Sequence, residues 1–426
     1  MNESFLHYLW QFQYFEKENL HTSSGEKISI LKTGVLNTDS GPDFSNAKIK
    51  IDEVEWAGNV EVHIKSSDWF AHHHQTDRAY ENVVLHVVWD DDKPVYRNDA
   101  TRIPTLELKG RVDEIILKEY KLLINSPTVI ACEKSFRQVN ELIKLSMLDK
   151  ALMQRLETKA MQVSETLKLN MGDWEETVYQ MVAKNFGFKV NADPFFQLAK
   201  SLPYKTIQKH NQLIQIEALL FGQAGLLESK TKDEYIATLF REYHLLAQKY
   251  SIEKSKLNAS QWKFLRLRPA NFPTVRLAQF ASLLFSIRNI FSHLLASESY
   301  SSLQKLFSSG QSDFWKSHYR FGKTAKGVVP ELGATSIQNI IVNTVVPLLV
   351  AYGKHKNEQQ YIDRAVDLLQ QLPSEGNKIT RTWSELGMKV KTAFDSQALI
   401  ELHNNFCAKR QCLNCSIGIS ILKPKL

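Results

Sequence analysis

Residues 41–65 read GPDFSNAKIKIDEVEWAGNVEVHIK, and this stretch decides how the N-terminal part of the chain folds. Ala47, Ile49 and Ile51 alternate with Lys48 and Lys50. A period of two marks a strand with one face on a core. After a turn at 52–58, alternation resumes over Asn59–Lys65. Val60, Val62 and Ile64 share the face that suits the core, so Glu61, His63 and Lys65 share the other. A carboxylate, an imidazole and an ammonium in one row are costly unless they are solvated or coordinate something. Asp43 begins the preceding strand and is in reach of the same face.

Working outward, Phe5, Leu9, Phe12 and Phe15 recur at helical spacing within residues 1–18. Ile28–Leu31 reads as a short strand. Residues 69–82 read as a helix with Asp68 as its cap. On that helix His73, Asp77 and Tyr80 share a face, with His74, Asp77, Arg78 and Glu81 beside them. Val83–Trp89, VVLHVVW, is β-prone throughout and belongs in the middle of a sheet; it carries His86. Further strands are expected near Pro94–Arg97 and Pro104–Leu108. The order is helix, three strands, helix, strand.

Beyond about residue 135 long amphipathic segments take over, among them 138–167, 194–226, 274–296, 300–318 and 335–353, punctuated by prolines such as Pro203, Pro273 and Pro347. The expected fold class is α+β: an α/β domain over residues 1–135 followed by a large all-helical domain over 136–426. The chain has 426 residues, 43% apolar and 23% charged, ordinary values for a globular protein. The longest apolar run, IIVNTVVPLLV at Ile340–Val350, is too short to span a bilayer and reads as a buried helix. The N-terminus carries early acid and no basic segment before an apolar one. A cytoplasmic location with no membrane partner is the expectation. The absence of a phosphate-binding Gly-Lys loop, a dinucleotide glycine fingerprint and a Gly-x-Ser-x-Gly elbow argues against ATPase, dehydrogenase and esterase chemistry.

The polar row on the second strand suits metal-assisted phosphodiester hydrolysis. Asp43, Glu61 and His63 are candidate ligands for Mg²⁺ or Mn²⁺, and Lys65 is placed to orient a water. Pro42-Asp43, the polar-x-Lys strand and the order of elements resemble the PD-(D/E)XK nuclease superfamily. That resemblance implies a restriction-endonuclease-like fold, Asp43 as a metal ligand and Lys65 as the water-positioning base. His63 stands where that superfamily has Asp or Glu, with Glu61 on the same face. His74, Asp77, Tyr80 and His86 are candidates for further ligands or phosphate contacts. A histidine-rich hydrolase of a small substrate, using His63, His72 or His74, Asp77 and His86, is a second enzyme reading. A non-catalytic nucleic-acid-binding or scaffold protein is the reading from another class.

Two other features carry chemistry. Cys407-x4-Cys412-x2-Cys415 places three thiols in one short segment, as a chelating loop requires, and Cys132 is available as a fourth. Zn²⁺ or a [4Fe–4S] cluster is the expected occupant. The net charge of +7 is compatible with a polyanion partner. Trp262–Arg276 interleaves Lys263, Arg266, Arg268 and Arg276 with Trp262, Phe264 and Phe272, and Arg320 lies in a similar tract at Phe314–Lys326. Such tracts hold phosphates while stacking bases. Glu375, Asn377, Arg381 and Gln397 are candidates to line a cleft. Over the whole length, the tracts GPDFSNAKI, NVEVHIKSSDW, YENVVLHVVW, RPANFPTVRLAQFA, PLLVAYG and CLNCSIG resemble an uncharacterised bacterial family of unknown function.

Overall fold

The alternation around Ile49 produces the strands it implies. The computed structural model describes residues 2–227, 232–308 and 310–423. Helix α1 (Glu3–Phe12) starts where the Asn2 side chain accepts the Phe5 N–H. Then come β1 (Ile28–Lys32), β2 (Val35–Leu36), β3 (Phe44–Ile51) and β4 (Val54–Lys65). After the single turn of α2 (Asp68–Ala71) follow β5 (Val83–Asp90), β6 (Thr105–Glu107) and α3 (Glu114–Ile124). The sheet order is β1-β3-β4-β5-β6, with β2 paired to β3. The β1–β3 and β3–β4 pairs are antiparallel, whereas β4–β5 and β5–β6 are parallel.

The apolar face of this sheet carries Phe44, Ile49, Val60, Val62, Leu85 and Val87. In the same core lie Phe5, Leu6, Leu9 and Trp10 of α1 and Ile116, Tyr120 and Leu123 of α3. β4 pairs with β5 so that Val60 meets Leu85, Glu61 meets His86 and Val62 meets Val87. The core residues are therefore adjacent on one face, and Glu61 and His86 are adjacent on the other.

Three local expectations are corrected. The β3–β4 turn is shorter than 52–58: Ile51 pairs directly with Val54, and Asp52 takes the left-handed conformation a tight hairpin needs (φ 48°). Residues 54–57 are exposed strand, which hides their periodicity. The 69–82 segment is not one helix. It stops at Ala71, turns through His73 in a left-handed conformation (φ 61°), and continues as two 3₁₀ turns, His74–Thr76 and Arg78–Tyr80. Asp68 caps no first-turn amide; its carboxylate accepts the Lys65 N–H upstream instead. Of the expected second strand pair, the structure has β6 and a lone bridge between Tyr96 and Arg102.

The chain divides into two units. The first comprises Met1–Asp149 together with Glu385–Gly387 and Ile400–Leu426; the second comprises Lys150–Ser384 and Met388–Leu399. The division falls inside the helix Glu141–Leu169, and the C-terminal stretch, expected with the helices, groups with the sheet. Among its described residues the second unit is helical apart from a small hairpin, His318–Arg320 with Lys323–Thr324, and a lone bridge between Pro373 and Thr392. Several long segments are broken. Residues 194–226 form Ala192–Ser201, Tyr204–Ile207 and Leu213–Gln223, because Pro203 keeps Leu202 out of helical conformation. The segment 300–318 ends its first helix at Phe307, and a new one starts at Asp313. The apolar run continues further than its composition suggests. Ala334–Lys356 is helical for 23 residues, long and apolar enough by length and composition to cross a membrane. Ile340, Ile341, Val345, Val346, Leu349 and Val350 are fully buried within this unit. A π-turn at Ile341–Val345 precedes Pro347, which has no N–H to give to the helix.

Two stability predictions follow from this packing. A Cβ on Gly58 of β4 would lie 2.5 Å from both the Asn82 carbonyl oxygen and Val84 Cγ1. Gly58→Ala is expected to destabilise the first unit by about 1–3 kcal/mol in denaturant unfolding, and an unchanged midpoint would contradict this packing. In the second unit Glu217 is buried and accepts the Tyr235 hydroxyl at 2.9 Å and the Ser312 hydroxyl at 2.7 Å. Burial pushes its carboxyl up to about 7 from an ordinary 4.5. The folded value lies above the unfolded one, so the stability it contributes is full below about pH 4.5 and is lost as pH rises through about 7. Glu217→Gln is expected to gain on the wild type by up to ~3 kcal/mol across that window, read as the difference between their unfolding free energies.

Candidate metal centre

The polar face of the sheet is built from elements far apart in sequence. β4 supplies Glu61 and His63, β5 supplies His86, the turn after α2 supplies His72 and His74, and Asp43 sits just before β3. His63 Nδ1 lies 2.8 Å from His86 Nε2, and His63 Nε2 lies 3.1 Å from His72 Nδ1. One ring nitrogen from each of His63, His72 and His74 falls within 4.8 Å of the others. Glu61 Oε1 is 3.3 Å from His74 Nε2 and 3.5 Å from His63 Nε2. The left-handed turn at His73 is what brings both its neighbours to His63. The Tyr80 ring stacks on His74 at 3.7 Å, and Trp69 meets His74 edge-on at 5.3 Å, so His74 is held from both sides.

The two acids lock one another in place. Glu61 Oε2 accepts the Asp43 N–H at 3.0 Å, and Asp43 Oδ2 accepts the Val62 N–H at 3.0 Å. Asp43 Oδ2 also lies 3.1 Å from His7 Nε2 of α1. Hydrogen bonds from backbone amides to a carboxylate are the stronger, charge-assisted kind. They fix the start of β3 against β4 at the site.

Electrostatics keep the buried imidazoles neutral. Burial, and then the neighbouring histidines His86, His74, His72 and His7, push His63 down to about 2. Burial, with His74, pushes His86 down to about 3. Neutral imidazole is the form that binds a metal. Burial drives the Glu61 carboxyl up, and Asp43 adds to this against the opposing effect of His74. Glu3 on α1 is raised by burial too, and its charge feels His72, Asp43 and His7.

The donor set fits a divalent transition ion. Among the described residues, His74 Nε2, His86 Nδ1 and His7 Nε2 are buried without a well-aligned hydrogen-bond partner. An unsatisfied buried polar atom costs about 1–3 kcal/mol, a cost that coordination would remove for His74, the one of these three that belongs to the ligand cluster. Three imidazole nitrogens with one adjacent carboxylate suit Zn²⁺ or Mn²⁺ better than Mg²⁺, which prefers oxygen ligands and octahedral geometry.

Of the residues expected at the site, Asp43, Glu61, His63, His74, Tyr80 and His86 are brought together. Lys65 is not, and Asp77 reaches only the edge, where it lines the small cavity beside His74 and Tyr80. Lys65 is exposed at the end of β4, where its N–H donates to Asp68 and its charge acts on Asp92. Asp77 is exposed and accepts the Ala79 N–H at 2.9 Å. Glu3 and His7 escaped the sequence reading. Their signal was present as two polar residues four apart on a helix whose other positions, Phe5, Leu6 and Leu9, are core.

In the second unit Lys263, Arg266, Arg268 and Arg320 are exposed, and the Arg320 guanidinium lies over the Phe264 ring at 5.4 Å. Arg276 is different. It is buried, bonds Asn271, Gln279 and Ser336, and rests on the Phe188 ring at 4.7 Å. Burial pushes it down to about 10. It forms part of the wall of a cavity of about 630 Å³ that also touches Asn191, Glu375 and Gln397. Glu375 and Gln397 are joined there at 3.1 Å; these two of the four residues expected in a polar cleft line the cavity, Asn377 and Arg381 are not among its lining residues, and Arg276 belongs to it rather than to an open surface.

A family model described as a protein of unknown function, DUF2851, matches residues 3–378. The chain belongs to the DUF2851 family. The matched span takes in the entire histidine cluster and ends before Cys407. No curated protein and no solved structure matches the chain.

If the cluster holds an ion, Mn²⁺ at about a hundredfold over its dissociation constant should stabilise the first unit by about 2.7 kcal/mol. Mn²⁺ is the suitable probe because thiolates take it poorly. The shift in thermal midpoint should disappear in His72→Ala and in His74→Ala. A shift of equal size in both variants would place the ion elsewhere.

Proposed function

We propose that the chain is a metal-dependent hydrolase of nucleic-acid phosphodiesters, with its site at the polar face of β4. The observation that carries this reading is the convergence of His63, His72 and His74 within 4.8 Å of one another, beside Glu61. Asp43 and Glu61, laced across the β3–β4 hairpin, support the phosphodiester part. A mixed sheet with α1 on its apolar face, one acid just before β3 and a second within β4 is similar to the PD-(D/E)XK arrangement. The net charge of +7 favours a polyanion.

His63, His72 and His74 would hold the ion with Glu61 alongside, and the ion supplies Lewis-acid polarisation of the phosphoryl group and a more acidic water. Glu61, with Oε1 beside both His63 and His74, would be the proton acceptor at the site. Asp43 positions Glu61 through its own amide and ties His7 to the site. His72, exposed while its partners are buried, is the contact between cluster and solvent. Lys65, exposed beyond the cluster, serves as a phosphate contact rather than as the group that orients water.

One observation favours a second reading. The cavity beside His74, walled by Trp69 and Tyr80, is about 10 Å³, and Glu61, His63 and His86 are almost fully buried. That space holds about one water at most; a cluster so closed, open to solvent only at His72, is reached more easily by a small substrate than by a nucleic-acid backbone, and the mark of that reading is activity insensitive to salt.

The test is cleavage of labelled single- and double-stranded DNA and RNA with Mn²⁺, Zn²⁺ or Mg²⁺. Glu61→Gln and His72→Ala are expected to lose at least about 100-fold in rate. Lys65→Ala should lose less than about tenfold, chiefly in KM and more at low salt. Full activity in Glu61→Gln, or no cleavage of any substrate by metal-loaded chain, would sink the proposal.

A further inference from the structure

The four cysteines belong to one unit. Cys132 precedes the short helix Glu133–Phe136, Cys407 ends the π-turn Leu402–Cys407, Cys412 opens the 3₁₀ turn Cys412–Asn414, and Cys415 precedes the helix Ser416–Leu422. The segment holding the last three is pinned to the one holding the first. The Arg410 guanidinium donates to the carbonyl oxygens of Ser126 at 2.6 Å, Thr128 at 2.7 Å and Val129 at 2.9 Å. Arg410 itself takes the left-handed conformation (φ 55°), which folds Cys407 back toward Cys412. Cys132 and Cys412 pack against the same core as α1 and the sheet. The turn is tight enough that a Cβ on Gly418 would lie 2.2 Å from the Cys412 carbonyl oxygen.

None of the four forms a disulfide. Each sits in the electrostatic field of the other three: Cys407 in that of Cys132, Cys415 and Cys412; Cys132 in that of Cys415 and Cys412; Cys412 in that of Cys415. Burial, reinforced by these neighbours, pushes Cys132 up to about 12 and raises Cys407 and Cys412 as well. Thiols are poor hydrogen-bonding groups, and nothing about packing alone requires four of them in one place. A cation bound by thiolates reverses the electrostatics: mutual repulsion becomes shared attraction.

The geometry points to a four-thiolate metal site, Cys132, Cys407, Cys412 and Cys415, whose sulfurs, drawn together less closely than the nitrogens of the histidine cluster, would close on a thiophilic centre, either Zn²⁺ or an iron–sulfur cluster. Four sulfurs are the number each of these requires. Loading releases the thiol protons to solvent as the metal–sulfur bonds form. The site is separate from the histidine cluster, whose nitrogen and oxygen donors select differently. It staples the C-terminal segment to the segment following α3, closing a long loop.

The test uses the full-length chain, purified without oxygen and analysed for zinc, iron and acid-labile sulfide. About one zinc per chain, or four iron with four sulfide, is the expected result, and the two contents separate the two centres. Replacing the native centre with Co²⁺ should give thiolate-to-cobalt charge-transfer absorption, a signature that a packing role would not produce. Cys132→Ser and Cys412→Ser should each lose that band, whereas His72→Ala should keep it. Wild-type chain that is folded by circular dichroism yet holds neither zinc nor iron, takes up no Co²⁺ with such a band, or contains disulfides between these cysteines, would overturn the site.

Discussion

The register of β4 against β5 is the constraint on which the rest of the first unit depends. With Val60 beside Leu85 and Val62 beside Val87, one face of both strands is core; with Glu61 beside His86, the other is a cluster of titratable groups. A slip of one residue would send two valines to the polar side and bury Glu61 and His63 against Phe5 and Leu9. The apolar face therefore enforces the geometry of the polar one. Burying Glu61, His63 and His86 is tolerable because each contacts another polar group of the cluster.

The acids do two things at once. Asp43 and Glu61 each commit an oxygen to a backbone amide across the hairpin, which removes freedom from it where ligand positions must be reproducible within a fraction of an ångström. That use of carboxylate oxygens leaves the imidazoles as the dominant donors. The consequence for metal choice is chemical: nitrogen-rich sites discriminate against Mg²⁺ by ligand type, before any question of cavity size.

Much of this was legible in the sequence. The period-two pattern at 47–51 and 59–65 located β3, β4 and the split between core and polar faces, and the β-branched run at 83–89 located β5. The tight turn at Asp52 was hidden because residues 54–57 form strand with both faces exposed, so no alternation marks them. The break at His73 was hidden because spacing alone cannot see a left-handed residue. Lys65 and Asp77 share the spacing of site residues, but position along the strand and a local capping bond, respectively, leave them outside the cluster. Glu3 and His7 reach the site by packing of α1 on the sheet, a tertiary fact no local window contains.

The C-terminal return has a temporal meaning. The core that supports β3–β5 includes Leu422 together with Phe5 and Tyr120, and Arg410 ties down the loop at Ser126–Val129. On a ribosome, the strands of the sheet emerge long before the residues that finish their packing. The nascent sheet must wait, incompletely covered, while the helical unit is synthesised. Non-local closure of this kind slows folding and lengthens exposure of apolar surface. A fragment ending near residue 149 would be that waiting state made permanent, so the histidine cluster is better regarded as a late product of synthesis than as property of a detachable N-terminal module.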